Sequence, residues 1–196
     1  MSLRSFYWKA VSQTLFKARV AKLGARSWIQ SPIALINPAG ISIGDRVFIR
    51  DGARLEVVNR QGLAGGKLII GNRVTIEQGA HIVACDEVII EDDVCITPRC
   101  TIVDTTHPIG TPADGNRGAQ IERGPSHVRI KSRAFLGANV VILPNVTIGR
   151  NSIIGANSVV TQDIPDDVIA AGAPARVIRS IARNGGTGTA QGAGAE

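Results

Sequence analysis

The chain has 196 residues and a net charge of +6, with only 4% aromatic residues and 22 glycines. This length suffices for one domain with a full hydrophobic core. No apolar run is long enough to span a bilayer, and the basic N-terminus lacks the apolar core and cleavage site of a signal peptide. The positive charge favours a phosphate-bearing cofactor, an acidic glycan or a membrane surface, and the lack of a nucleic-acid motif argues against nucleic acid.

Residues 3 to about 24 are predicted to form an amphipathic helix, the main element of an N-terminal unit, residues 1–29. Its apolar positions fall on one face, basic residues surround them, and Gly24 ends the pattern. Two roles are open for this helix: packing on the rest of the domain or a neighbouring subunit, or peripheral association with a membrane. The apolar positions are Phe6, Tyr7, Ala10, Val11, Thr14, Leu15, Ala18 and Ala21.

Residues 30–165 contain a six-residue repeat of Ile, Leu or Val. A helix repeats at about 3.6 residues and a strand at about 2, so neither explains this period. The repeat is typical of a solenoid in which each step forms one flat face and one corner, with the aliphatic side chain inside and a small residue beside it four positions later. The repeating positions are Ile43, Ile49, Leu55, Ile70, Ile76, Ile82, Ile90, Ile96, Ile102, Ile130, Leu136, Ile142, Ile148, Ile154 and Val160.

Three insertions interrupt the repeat, and the longest is rich in glycine and proline. It is predicted to form a loop, residues 103–128, that stands off the solenoid. His107 lies at the root of this loop in the sequence Thr-Thr-His-Pro. An imidazole can accept a proton near neutral pH, so His107 is the best candidate for a catalytic base. Either Asp104 or a backbone carbonyl could orient it.

The end of the chain differs from the solenoid in composition. Residues 166–183 are predicted to form an extension with a short C-terminal helix through about Ala182. Residues 184–196 consist mainly of Gly, Ala and Thr, which cannot bury a core, so this tail is expected to be disordered.

The histidines and cysteines do not form a recognisable metal site. His81, His107 and His127 lie 26 and 20 residues apart, without the close pair that zinc sites often use, so no metal is expected. The three cysteines include no CxxC pair, and an odd number without a disulfide framework favours a reducing compartment. The expected location is the cytoplasm, with the inner face of the membrane as a second option.

These features together resemble the hexapeptide-repeat acyltransferases, and within them the branch that O-acetylates sugars and xenobiotics. The resemblance covers about residues 41–180 and includes the repeat, the Thr-His-Pro sequence at the loop root and a closing segment. That segment contains Val146-Thr-Ile-Gly149, Ile154-Gly-Ala-Asn-Ser158, Thr161-Gln-Asp-Ile-Pro165 and Ala170-Ala-Gly-Ala-Pro174-Ala-Arg-Val-Ile-Arg179.

The resemblance implies an all-β fold: a left-handed parallel β-helix solenoid with an N-terminal helix, a protruding loop and a short C-terminal helix. It also implies a homotrimer with active sites between subunits, and acetyl-CoA as the donor. The hand of the helix could not be predicted from the period, since it runs against the usual right-handed crossover rule.

The resemblance further implies roles for individual residues. His107 matches the family's catalytic histidine, which takes the proton from an acceptor hydroxyl. Glu77 and Cys85 stand at substrate-binding positions where galactoside and maltose enzymes carry Asn and Asp, which counts against those two sugars. The positions that match cofactor contacts are Phe135, Gly137, Ala138, Ala156, Thr161, Arg176 and Arg179.

The sequence therefore predicts an acetyl-CoA-dependent O-acetyltransferase that acts on a sugar hydroxyl in the biosynthesis of a capsule, O-antigen or exopolysaccharide. The acceptor is expected to be a small molecule or a glycan, and the basic N-terminal helix favours a lipid-linked or polymeric one. An antibiotic acetyltransferase of the same mechanism is the first alternative. A zinc-dependent β-helix hydratase and an inert assembly subunit are alternatives from other classes.

Overall fold

A computed structural model describes residues 3–59, 65–107, 116, 120–121 and 124–181, which form a left-handed parallel β-helix behind a short N-terminal helix. The helix is α1 (Leu3–Val11). The first strands are β1 (Lys22–Leu23), β2 (Trp28–Ile29), β3 (Ala34–Ile36), β4 (Ile41–Ile43), β5 (Phe48–Ile49), β6 (Arg54–Val57), β7 (Lys67–Ile70), β8 (Thr75–Ile76), β9 (His81–Ala84) and β10 (Glu87–Ile90). They are followed by β11 (Cys95–Ile96), β12 (Thr101–Val103), β13 (His127–Ile130), β14 (Phe135–Leu136), β15 (Val141–Ile142), β16 (Val146–Ile148), β17 (Ile153–Ile154), β18 (Val159–Val160), β19 (Val168–Gly172) and β20 (Ala175–Ser180).

Three sheets form the faces of a prism, and each coil of the chain contributes one strand to each sheet. The first sheet contains β1, β4, β7, β10, β13 and β16; the second contains β2, β5, β8, β11, β14, β17, β19 and β20; the third contains β3, β6, β9, β12, β15 and β18. The strands of successive coils are parallel, and only the β19–β20 pair among the described strands is antiparallel. The predicted all-β solenoid is therefore confirmed.

The six-residue repeat forms the hydrophobic core. All fifteen repeating positions are at most 2% exposed, and their side chains stack in register from coil to coil, as Ile76 with Ile96 and Leu136 with Ile154. Fully burying one such side chain is worth about 1.5–3 kcal/mol, so these stacks dominate the stability of the prism. The smaller residues predicted beside them are buried too: Val47, Ala53, Val74, Ala80, Val94, Cys100, Ala134, Val140, Val146, Ser152 and Ser158.

The solenoid begins earlier than predicted. A π-helical turn, Ser12–Phe16, extends α1, and β1 already starts at Lys22, within the segment assigned to the N-terminal unit of residues 1–29. Leu23, Ile29 and Leu35 continue the six-residue repeat upstream, and they face the core. The helix prediction to residue 24 was wrong because these positions also fit an amphipathic pattern.

The N-terminal helix contacts the solenoid through a face that overlaps only partly with the predicted apolar face, since Val11 belongs to both and Trp8 only to the observed one. Trp8 and Val11 of α1 pack against the core with the buried Phe16. Phe6 and Tyr7, at the centre of the predicted apolar face, are exposed. The helix therefore carries apolar side chains on two sides, and the side of Phe6 and Tyr7 is exposed, although the Tyr7 ring also contacts the Trp8 ring edge to face at 5.2 Å between centroids.

The predicted C-terminal helix is wrong over the described residues. Strands β19 and β20 form an antiparallel hairpin that extends the second sheet beyond β17. The edge of β17 offers backbone groups that a further strand satisfies, and Val177 and Ile178 are aliphatic β-branched residues that suit a strand.

The long loop leaves the solenoid where it was predicted, between β12 and β13. Residues 108–115, 117–119 and 122–123 of this loop lie outside the described residues, as does the tail of residues 184–196. The predicted disorder of that tail stays a prediction.

Candidate functional site

A buried carboxylate fixes the root of the long loop. Asp104 directly follows β12 and is 1% exposed. Its carboxylate accepts hydrogen bonds from the backbone N–H groups of Cys85, Asp86 and Glu87, the last two at 2.8 and 2.7 Å. Burial raises the pKa of Asp104 above its ordinary value, although the three N–H donors oppose the rise. The start of the loop is thus tied to the turn between β9 and β10.

The same turn holds the far end of the loop. Asp86 Oδ2 accepts hydrogen bonds from the backbone N–H and the hydroxyl of Ser126, at 2.8 and 3.1 Å. Ser126 directly precedes β13. Both ends of the loop are therefore anchored on one turn of the solenoid, which positions the loop root rigidly.

His107 lies at this root with an exposed side chain. Its Nδ1 is 2.5 Å from the backbone carbonyl oxygen of Gln120. Because a carbonyl oxygen only accepts hydrogen bonds, Nδ1 carries the proton in this contact, and in the neutral ring Nε2 then has the lone pair. Of the two orienting groups considered from the sequence, the structure selects the carbonyl, since both Asp104 oxygens bind backbone N–H groups. The ring is held in the tautomer that a general base needs.

A second group of candidates lies on the outer face of the second sheet, near its C-terminal end. Phe135 pairs with Ile153, Ile153 with Ile169, and Ile169 with Arg179. Paired residues of neighbouring strands point to the same side of a sheet, so these four side chains form one outward row. Phe135 is 40% exposed, and the row offers an apolar surface that ends in a cation.

A β-bulge brings Arg176 to the same side as Arg179. Residues three apart point to opposite faces of a regular strand, but the register shift leaves Ile178 unpaired, so that Arg179 pairs with Ile169 and Arg176 with Ala171. Both arginines are exposed, and neither forms an ion pair with a described residue. Two adjacent guanidinium groups without counter-ions suit the phosphates of a nucleotide.

The corner that follows the second sheet has small side chains, so no large group covers its backbone. A Cβ on Gly137 would lie 2.6 Å from the backbone nitrogen of Ala156, so only glycine allows the two coils to approach this closely. The carbonyl of Ala138 accepts a hydrogen bond from the backbone N–H of Asn157 at 2.8 Å. Ala156 is exposed, so a ligand can approach the corner backbone without meeting a large side chain.

The candidates occupy two different edges of the prism. His107 follows β12 and Thr161 follows β18, so both lie where strands of the third sheet end. The small-residue corner lies at the other edge of that sheet, and the arginines belong to the second sheet beyond that edge. Within the part of the chain that the structure describes, His107 and the arginines therefore do not share one pocket. A cavity of about 560 Å³ lies elsewhere, between Asn37 and Lys67.

The two predicted acceptor contacts differ from one another in accessibility. Glu77 is half-buried at the corner after β8 and forms an ion pair with Arg50 at 2.8 Å. Cys85 is only 1% exposed, because it belongs to the turn beneath the loop root. This burial contradicts a direct contact between the Cys85 side chain and an acceptor.

Several residues that build the site escaped the sequence analysis. Asp86, Ser126 and Gln120 belong to no recognisable motif. One of the three insertions in the repeat, two residues at 85–86, does coincide with the turn that anchors the loop. No group of three or more His, Cys, Asp or Glu side chains among the described residues could hold a metal ion. None of the described helices is long and apolar enough to cross a bilayer.

The comparisons with known proteins point to one family. A family model for the bacterial transferase hexapeptide (six repeats) matches residues 127–162. The galactoside O-acetyltransferase of Escherichia coli is 33% identical over 169 residues, which are 86% of this chain and 68% of the relative. The chain belongs to the hexapeptide-repeat acetyltransferases. A second relative of this acetyltransferase, the putative lipopolysaccharide biosynthesis O-acetyl transferase WbbJ of the same organism, is 30% identical over 158 residues, 77% of either chain.

Other similarities are shorter or structural. The galactoside O-acetyltransferase of Lactococcus lactis is 40% identical over 118 residues, which are 60% of this chain and 55% of that relative. The structure of AntD, an N-acyltransferase from Bacillus cereus in complex with dTDP and 3-hydroxybutyryl-CoA, matches with a TM-score of 0.70 and 25% identity, over 87% of this chain and 88% of that one. A galactoside acetyltransferase in complex with coenzyme A matches with a TM-score of 0.60 and 32% identity, over 87% of this chain and 70% of that one. The predicted acyltransferase class and its CoA-type donor are confirmed.

Proposed function

We propose that this acetyltransferase moves the acetyl group of acetyl-CoA to a sugar hydroxyl in the biosynthesis of a surface polysaccharide. The observation that carries the proposal is the His107 ring, whose Nδ1–H is bound to the Gln120 carbonyl and whose Nε2 is left as an acceptor. The sugar acceptor is supported by the relatives, two of which are named galactoside O-acetyltransferases and one a putative lipopolysaccharide biosynthesis O-acetyl transferase.

The reaction is a direct transfer. Nε2 of His107 accepts the proton of the acceptor hydroxyl while the hydroxyl oxygen forms a bond to the thioester carbonyl carbon. The carbonyl electron pair moves to its oxygen, and backbone N–H groups stabilise this oxyanion. The oxyanion then collapses, the carbon–sulfur bond breaks, and the CoA sulfur takes the proton from the imidazolium. The acetyl ester is released, His107 returns to its neutral form, and no covalent enzyme intermediate forms.

The donor lies along the outer face of the second sheet in this proposal. Phe135 and the corner of Gly137, Ala138 and Ala156 flank the pantetheine arm, because an apolar ring and a corner without large side chains leave room for an extended chain. The two arginines of β20 bind the nucleotide phosphates, and Thr161, which lies at the same edge of the prism as His107, contributes its hydroxyl from a neighbouring subunit. Glu77 stays a proposed acceptor contact.

We further propose that the enzyme is a homotrimer in the cytoplasm. His107 lies at one edge of the third sheet, and the arginines belong to the second sheet beyond the other edge, so a neighbouring subunit is needed to complete a site between prisms. No disulfide joins Cys85, Cys95 and Cys100 in the described residues, which fits a reducing compartment.

The test is mass spectrometry of surface glycans from cells with and without the protein, combined with assays of the purified chain on a panel of acceptors. We expect an acetyl ester to disappear from one sugar of the glycan, and the same sugar to be acetylated in the assay. Because AntD is an N-acyltransferase, amino sugars belong in the panel. Preferred acetylation of an amine would overturn the hydroxyl acceptor, and preferred acetylation of an antibiotic would favour the xenobiotic alternative.

A further inference from the structure

The entire net charge of the chain comes from its N-terminal part. Residues 1–44 contain six basic residues and no acidic one, whereas residues 45–196 contain 16 basic and 16 acidic residues. The first group forms α1 and the first coils, so the excess positive charge is concentrated at one end of the prism. The six basic residues are Arg4, Lys9, Lys17, Arg19, Lys22 and Arg26.

Four of these cations, at the start of the solenoid, are exposed and have no ion-pair partner among the described residues. Arg4 is held by Asp51 at 2.6 Å, and Lys9 covers the ring of Trp28 at 4.6 Å. The other four are Lys17, Arg19, Lys22 and Arg26.

The same end of the molecule exposes a group of large apolar side chains. Leu3, Phe6 and Tyr7 are 86%, 61% and 58% exposed, and Leu15 in the π-helical turn is 54% exposed. Residues three and four apart lie on one side of a helix, so the first three form a continuous outer stripe on α1. The opposite side of the helix is already packed on the core. Isolated exposed apolar residues are common, but a stripe of this kind at the same end of the prism as four exposed cations is typical of an interaction surface.

We infer that this N-terminal surface, formed by the outer stripe of α1 with Lys17, Arg19, Lys22 and Arg26, docks on an anionic lipid bilayer. The inference goes beyond acetyl transfer and does not depend on it. Aliphatic and aromatic side chains enter the boundary between headgroups and acyl chains, while cations contact the phosphates, and the two contributions together give stable peripheral binding.

Two other occupants fit the surface less well. A duplex nucleic acid would use the cations but would leave the apolar stripe in water, because its bases are stacked inside the helix. A second copy placed face to face would bring two positive surfaces together without any acidic partner, which is repulsive, and a contact of the stripe with another face of a neighbouring subunit would not use the four cations. An anionic bilayer satisfies both the charge and the apolar stripe.

The experiment is cosedimentation of the full-length chain with phosphatidylcholine vesicles, with and without phosphatidylglycerol. We expect binding to the anionic vesicles only. Lys17→Glu together with Arg19→Glu should weaken it by about tenfold or more, because each basic residue near an anionic surface contributes about a factor of five. Leu3→Ser together with Phe6→Ser should weaken it as well. Lys131→Glu together with Arg133→Glu makes the same change of net charge elsewhere on the solenoid and should leave binding nearly unchanged.

Three results would overturn the inference. The first is failure to bind anionic vesicles, or equal binding by the wild type and both N-terminal variants. The second is a change of sedimenting mass in the Leu3→Ser, Phe6→Ser variant, which would make the stripe a subunit contact. The third is tighter binding to duplex DNA than to anionic vesicles. The two N-terminal pairs of substitutions lie at exposed positions. Circular dichroism confirms that each of the three variants is folded before the vesicles are added.

Discussion

At His107, one hydrogen bond decides what the ring can do. The Gln120 carbonyl fixes the proton on Nδ1, so the acceptor nitrogen is the one that points away from this contact. Asp104 acts indirectly. It ties the start of the loop to the turn between β9 and β10, and it forms no hydrogen bond with the ring. The loop root is thus rigid at its base, and the ring orientation depends on a backbone group inside the loop.

We predict that His107→Ala lowers turnover by about two to four orders of magnitude, as expected for the loss of a general base. The affinity for CoA and the thermal stability should be unchanged, because the ring is exposed and lies away from the proposed donor face. Steady-state kinetics and calorimetric titration with CoA measure the two effects. His127→Ala removes an exposed histidine at the far end of the loop and serves as the matched control; near-normal turnover of His107→Ala would remove this residue from the mechanism.

The sequence identified His107 but could not identify its partner. The position of His107 at the root of a long insertion and the Thr-His-Pro sequence were sufficient to single it out. Gln120 lies 13 residues further along inside the loop, and its contact is made by a backbone carbonyl, which any residue type supplies. The burial of Cys85 also left no trace in the sequence, because a small thiol is equally compatible with a surface and a core position.

At the scale of the elements, the coils are tied to one another at their corners. Glu91 follows β10 and accepts hydrogen bonds from Arg129, at 2.8 and 2.6 Å, and from the backbone and side chain of Ser132, at 2.9 and 2.8 Å. Burial acts to raise the pKa of Glu91, but the hydrogen bonds and the charge of Arg129 outweigh it and hold the pKa below its ordinary value. The ionised carboxylate therefore stabilises the folded chain.

We predict that Glu91→Gln lowers the free energy of unfolding at pH 7 by about 1 kcal/mol. A carboxyl whose pKa is lowered by folding contributes stability above its unfolded pKa and loses it as the pH falls through the folded value. The difference between variant and wild type should therefore shrink as the pH falls below about 4.5. Urea unfolding at a series of pH values measures it, with Glu87→Gln, an exposed carboxyl of the same coil, as the control. A difference that stays constant with pH would show that Glu91 acts through packing alone.

We predict that Arg176→Glu together with Arg179→Glu raises the dissociation constant for CoA by well over tenfold. Charge-assisted contacts are typically worth about 1.5–3 kcal/mol each, and the bulge in β20 puts both cations on one face. Thermal stability should change little, because both side chains are exposed. Calorimetric titration at matched salt measures the affinity. The variant with Lys17→Glu and Arg19→Glu changes the net charge equally at the other end of the prism, and equal affinities of the two variants would place the phosphates elsewhere.

The elements differ in how well the sequence determined them. The repeat predicted the core correctly, because the narrow interior of the prism accepts only aliphatic residues at the repeating six-residue positions. Leu23 and Ile29 follow the same repeat and lie inside the prism. Their pattern also fits a helix, and local sequence does not distinguish a solenoid coil from a helix here. Strand β20 was predicted as a helix because its strand form depends on pairing with β19, which is itself held as a strand by the edge of β17, and the local sequence of β20 does not reveal this tertiary pairing.

At the scale of the whole molecule, the prism separates the groups that the proposed reaction needs. His107 stands at one edge of the third sheet, and Arg176 and Arg179 belong to the face beyond its other edge. A stiff solenoid cannot fold to bring the edges together, so the account requires His107 of one subunit to act on a donor held by a neighbour. Cyclic packing of prisms supplies that arrangement at every interface.

Subunit complementation tests this central claim most directly. The His107→Ala variant and the variant with Arg176→Glu and Arg179→Glu are produced with different tags, coexpressed, and hybrid oligomers are purified and assayed for acetyl transfer. Each variant alone should be nearly inactive. Every hybrid trimer has one interface at which an intact His107 meets an intact pair of arginines, so hybrids should recover about a third of the wild-type turnover. Hybrids with no more activity than the two parents would mean that each site is built from a single chain, and would contradict the account.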